Sequence, residues 1–178
     1  MAGTVEETGP DVTSFKVGDE VYGLVGGVGG LQGTLAKFIA VDAELLAHKP
    51  GNLSMRQAAA LPLAIITAWE GLVDRARVHT GQTMLIQAGA GGVGHIAVQL
   101  ARAFGAKVFA TVSQEKKKVV ENFGAIPIDY RAVSVEEYVA AHTEGKGFDI
   151  VYDTVGGTSL DASYLGRDGV SSQEVQDW

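Results

Sequence analysis

No cysteine occurs among the 178 residues. That excludes a disulfide framework, a cysteine-ligated zinc site, an iron–sulfur cluster and a thiolate nucleophile, since each needs a sulfur the chain lacks. Positive charge is also scarce: 14 basic side chains stand against 21 acidic ones, a formal charge of −7. General attraction to nucleic acid or to an anionic lipid surface is therefore disfavoured, because both are polyanions. The first ten residues hold Glu6 and Glu7 but no lysine or arginine, unlike the basic start of a secretory signal. The longest apolar run, residues 58–69, is broken by Pro62 and is too short to span a bilayer. A cytoplasmic protein with no membrane and no nucleic-acid partner is expected.

Glycine, by contrast, is abundant: 24 of 178 residues, about 13% where roughly 7% is usual. Residues 15–49 read as short strands around Val17, Val21, Leu35, Phe38, Ile39 and Val41, separated by glycine-rich turns. Ser54 with Gln57 three residues on forms a capping box, so a helix is expected from there. Pro62 should kink or restart it, and Ile65, Ile66, Trp69, Leu72 and Val73 continue at helical spacing. Beyond Gly81, strands are expected at 83–87, 107–112, 126–129 and 148–153. Helices are expected at 93–104, 114–123 and, under a second capping box of Ser134 and Glu137, from 134 to about 142. Strand and helix alternating over short connections imply an α/β protein with a Rossmann-type, doubly wound parallel sheet.

Between the first of those strands and its helix lies Gln87-Ala88-Gly89-Ala90-Gly91-Gly92-Val93-Gly94. Gly89, Gly91 and Gly94 give G-x-G-x-x-G in the strand-to-helix context that a dinucleotide site requires. Gly89 turns the chain out of the strand, Gly91 lets backbone approach a pyrophosphate, and Gly94 packs helix against sheet. Amides at the helix start then receive the phosphate charge. A second cluster, residues 23–33, holds six glycines without this spacing and with no helix after it. It reads as a mobile hairpin loop, with contact to a substrate as the lesser alternative.

An NAD site usually places an acid at the end of its second strand to grip the ribose hydroxyls. Here that strand ends Ala110-Thr111-Val112. Glu115 lies beyond it, in the first turn of a helix expected to be capped by Ser113, where an acid suits the helix dipole. Ser113 and the Lys116-Lys117-Lys118 run beside it favour a 2′-phosphate, hence NADPH (NADP) as cofactor.

From about Phe15 to Leu160 the chain resembles the medium-chain dehydrogenase/reductase superfamily, and within it the zinc-independent quinone oxidoreductase branch. Phe15-Lys16-Val17-Gly18-Asp19-Glu20-Val21-Tyr22-Gly23 is similar to the end of that family's GroES-like barrel. Ala58-Ala59-Ala60-Leu61-Pro62 with Thr67-Ala68 is similar to its hinge helix, and Ala88 to Gly94 to its nucleotide loop. The resemblance implies four parts: a partial GroES-like β segment at 1–53, hinge helices at 54–81, an incomplete Rossmann nucleotide domain at 82–162 and an atypical tail at 163–178.

It also implies that Gly89, Ala90, Gly91, Gly92, Val93 and Gly94 cradle the pyrophosphate. Ser113, Lys117 and Tyr130 would meet the 2′-phosphate and adenosine end, and Thr67 would lie near the nicotinamide. Tyr130 equally suits a residue ending a strand, and Thr67 a helix threonine bonding its own backbone. The expected activity is NADPH-dependent, zinc-independent reduction of quinones or α,β-unsaturated carbonyls, in a homodimer, with no metal ligands and no assigned catalytic side chain. The four histidines, His48, His79, His95 and His142, are too dispersed for a zinc motif. The alternatives are a nucleotide-binding interaction module without catalysis, and a zinc-type alcohol dehydrogenase whose metal-site region lies outside this chain.

Overall fold

The computed structural model describes residues 1–26 and 33–157. Most of the second glycine cluster and the whole 163–178 tail lie outside the described residues. The chain clusters into two compact units, Met1–Ala64 and Ile65–Trp178, with the boundary inside one helix.

In the first unit, β1 (Ala2–Thr4), β2 (Glu20–Gly23) and β3 (Leu46–His48) form an antiparallel sheet in that order. Val21 is buried at its centre, opposite both Gly3 and His48. The Met1 ammonium donates to the Gly23 carbonyl at 2.7 Å. Lys49 Nζ pairs with Glu20 at 3.0 Å and donates to the Leu53 carbonyl at 2.6 Å, tying the strands to the segment that leads into the first helix.

The strands expected around Leu35, Phe38, Ile39 and Val41 do not form. Residues 33–42 carry no ladder, and Leu35 and Phe38 are exposed. Leu35, Ile39 and Val41 would share one strand face, but among the described residues no neighbouring strand pairs with them, and a strand needs such a partner in register.

α1 (Met55–Ala60) begins at the expected capping box: Ser54 Oγ accepts from the Gln57 amide at 3.3 Å, and Gln57 Oε1 from the Ser54 amide at 3.0 Å. Proline has no amide to continue the ladder, and α2 (Pro62–Trp69) restarts there. Helical periodicity then continues with a change the sequence did not announce, a π-helical turn over Glu70–Arg75.

The second unit is a parallel sheet. β4 (Thr83–Ile86), α3 (Gly94–Ala103), β5 (Lys107–Val112), α4 (Lys117–Asn122), β6 (Ile126–Asp129), α5 (Val135–Thr143) and β7 (Ile150–Tyr152) follow in sequence. The sheet order is β6-β5-β4-β7.

Because side chains alternate along a strand, the sheet builds two cores. Met84, Ile86, Val108, Ala110 and Val112 pack with Ala97, Val98 and Ala101 of α3 and Val120 of α4. Leu85, Phe109 and Ile128 pack on the other face with Tyr138 and Val139 of α5 and with Phe148. The expected doubly wound α/β sheet is the observed one. Among the described residues no helix is long and apolar enough to cross a membrane.

Candidate dinucleotide site

The chain leaves β4 through Gln87 and turns at Ala88, whose φ is 51°. Gly89 follows with its Cα against the next strand: a Cβ there would stand 2.5 Å from Ala110 Cβ. At Gly94, the first residue of α3, a Cβ would run into the Ala88 carbonyl oxygen and lie 2.9 Å from its carbonyl carbon. Both glycines are therefore demanded by close backbone approach. Gly92 has open space around it, and Val93 packs partly against the core.

The Gly91 amide donates to the Ala88 carbonyl at 2.8 Å, and the Gly91 carbonyl accepts from the His95 amide at 3.1 Å. α3 thus begins immediately after the turn. The amides of His95, Ile96 and Ala97 are taken by the Gly91 and Val93 carbonyls. Those that lead into the helix, of Gly92, Val93 and Gly94, together with the helix dipole suit an anion. The loop fits a pyrophosphate.

A cleft of about 890 Å³ opens over the carboxyl ends of β4, β5 and β6. Ala90 and Gly91 line it from the turn, Ser113 and Lys116 from the end of β5, and Tyr130 and Arg131 from the end of β6. This is the crevice at strand ends where open α/β sheets take ligands.

Of the residues carried over by resemblance, the structure gathers Ala90, Gly91, Ser113 and Tyr130 around this cleft. Lys117 is not among its lining residues; its Nζ sits 3.9 Å from Asp129 Oδ2. Thr67 lies on α2 away from the cleft lining, its carbonyl accepting from the Tyr152 hydroxyl at 3.0 Å.

Lys116, read from the sequence only as part of the 116–118 run, and Arg131, which the sequence reading did not name, line the cleft instead. The shift from Lys117 to Lys116 has a local cause. Residues 114–116 form a 3-10 turn before α4 starts, and its tighter winding changes the phase of the lysine run.

The expected side-chain cap at Ser113 is also corrected. Ser113 occupies the N-cap position without a side-chain cap bond. Its hydroxyl bonds Glu115 and, with backbone bonding and the positive charge of Arg131, holds that carboxyl below its usual pKa. Arg131 stands 5.4 Å from the Tyr130 ring centre, and its amide donates to Asp129 Oδ1 at 3.1 Å.

The alcohol dehydrogenase GroES-like domain family matches residues 1–51, and the zinc-binding dehydrogenase family matches residues 92–167. The chain belongs to the medium-chain dehydrogenase/reductase superfamily.

An alcohol dehydrogenase superfamily protein from Novosphingobium aromaticivorans is 61% identical, with a TM-score of 0.91 over 94% of this chain and 50% of its own. The CurK enoyl reductase is 35% identical, with a TM-score of 0.85 over 94% of this chain and 49% of its own. A phenolphthiocerol synthesis polyketide synthase from Mycobacterium bovis is 44% identical over 91% of this chain and 8% of its own length. This superfamily member thus spans about half of those solved relatives and a small fraction of the synthase. Among its described residues no group of three or more histidine or acidic side chains is placed to hold a metal.

Proposed function

We propose that this chain forms the hinge and nucleotide-binding part of an NADPH-dependent oxidoreductase that reduces α,β-unsaturated carbonyls or quinones. One observation carries the nucleotide choice. Ser113, Lys116 and Arg131 face the same cleft as the Ala90–Gly91 turn, and no carboxylate ends β5. Glu115 is not in the cleft lining and is engaged by the Ser113 hydroxyl and the charge of Arg131. Glu136, at the start of α5, is the one carboxylate among the described lining residues, against the two cations.

When bound, the nicotinamide supplies the hydride, and the protein's task is orientation and exclusion of water. The turn after β4 would hold the pyrophosphate, and Ser113, Lys116 and Arg131 would hold the 2′-phosphate. The similarity to the CurK enoyl reductase supports an enone as the acceptor.

The test is nucleotide selectivity in Lys116→Glu and Arg131→Ala. Losing a charge-assisted contact to phosphate weakens NADPH binding about tenfold and leaves NADH within about twofold. Equal losses for both nucleotides refute the assignment of these side chains to a 2′-phosphate.

A further inference from the structure

Two polar side chains are buried among the described residues, Gln87 and Thr111, and they bond each other. They stand 24 positions apart, yet the parallel register that pairs Ile86 with Ala110 brings them side by side at the ends of β4 and β5. The Thr111 hydroxyl donates to Gln87 Oε1 at 2.6 Å. Its single proton is thereby committed, and its oxygen accepts from the Ala88 amide at 3.0 Å.

The next amide, of Gly89, donates to the Thr111 carbonyl at 3.0 Å. One threonine therefore takes both amides that lead into the turn. The Gln87 side chain in turn bonds the Tyr138 phenol on α5, and the Gln87 carbonyl accepts from the Thr154 hydroxyl at 2.7 Å, beyond the end of β7.

The anchored residue is unusual. Ala88 holds a φ of 51°, a left-handed conformation that a residue with a Cβ seldom adopts and that persists only where its surroundings hold it. Its amide is fixed by Thr111 and its carbonyl accepts from Gly91 at 2.8 Å. Those two bonds determine where the amides that follow are aimed.

We propose that Thr111 is a positioning residue: through Gln87 and Ala88, it presets the turn that receives the dinucleotide's pyrophosphate. The inference rests on the nucleotide reading above. Removing the hydroxyl leaves the Ala88 amide and Gln87 Oε1 buried without that partner, and the turn relaxes away from its phosphate-ready shape.

Dissociation constants of the full chain for NADPH and for adenosine 2′-monophosphate, which has no pyrophosphate, test this. Thr111→Val keeps the volume and loses the hydroxyl. It weakens NADPH at least about tenfold and leaves the monophosphate within about twofold. Thr111→Ser, which restores the hydroxyl, binds both as the parent does.

An undiminished NADPH affinity in Thr111→Val, an equal loss of both probes, or a serine variant as weak as the valine overturns the proposal. If the valine chain does not fold, Thr111→Ala, which removes the same hydroxyl from a smaller side chain, replaces it. The same selective loss then supports the proposal, and an unchanged NADPH constant overturns it. Failure of the parent chain to bind either probe overturns the nucleotide reading itself, and this inference with it.

Discussion

Alanine at position 94 and alanine at position 92 have opposite expected outcomes although the two glycines are two residues apart. A Cβ on Gly94 runs into the Ala88 carbonyl oxygen and lies 3.0 Å from Gly89 Cα, both backbone atoms of the tight turn. Backbone cannot rotate aside as a side chain can, so the overpacking costs about 1–3 kcal/mol. Alanine's better helix propensity returns at most about 1 kcal/mol of that, and less in the first turn.

At Gly92 a Cβ meets nothing within 4 Å, so alanine there stabilises by about 0.5 kcal/mol through the unfolded chain. The variants then differ by about 2 kcal/mol, or roughly 4–8 °C in melting temperature for a chain of this size. Thermal unfolding of the two purified variants, followed by circular dichroism without nucleotide, reads the difference. Melting temperatures within about 1 °C of each other refute the claim that α3 is seated against the turn at Gly94.

Gly91→Asp places a carboxylate beside the expected pyrophosphate while its Cβ, 3.1 Å from the Ala88 carbonyl oxygen, demands only a small local shift. It weakens NADPH at least about tenfold with little change in melting temperature, as read by parallel titration and melts. Asp149 accepts from the Thr83 amide at 2.7 Å and its hydroxyl at 2.8 Å, and those bonds hold its carboxyl below the ordinary value of 3.8. A carboxyl depressed in the folded state stabilises above its unfolded pKa and loses that contribution as pH falls through its folded one. Asp149→Ala therefore costs on the order of 1 kcal/mol at pH 7, after allowance for screening at an exposed site. Urea melts of parent and variant should converge below about pH 4, and a constant gap refutes the assignment.

The second unit was largely legible because each of its elements carries its own local signal. Strands β5 and β6 fall on the expected residues, and the capping box of Ser134 with Glu137 forms as read, as that of Ser54 with Gln57 does in the first unit. Residues 33–42 misled because apolar residues between glycines suggest strands, whereas a strand also needs a partner in register. The π-helical turn over Glu70–Arg75 repeats apolar residues almost as an α-helix does, and periodicity does not separate the two.

At the site, the glycine turn announced itself through spacing. The Gln87–Thr111 bond could not, because it exists only once β4 and β5 pair in parallel register. The placement of Lys116 rather than Lys117 on the cleft depends on a single 3-10 turn, a one-residue change of phase below the resolution of pattern reading.

The central claim is a dinucleotide site at the ends of β4, β5 and β6 that prefers a 2′-phosphate. Titration of the full chain with NADPH and with NADH, followed by nicotinamide fluorescence alongside thermal stability, tests it most directly, since a ligand of the folded state raises its stability. Saturable binding of both, tighter for NADPH by about tenfold or more, is the expected result. A folded chain that neither perturbs the fluorescence nor gains stability with either nucleotide, or one that binds NADH at least as tightly as NADPH, contradicts it.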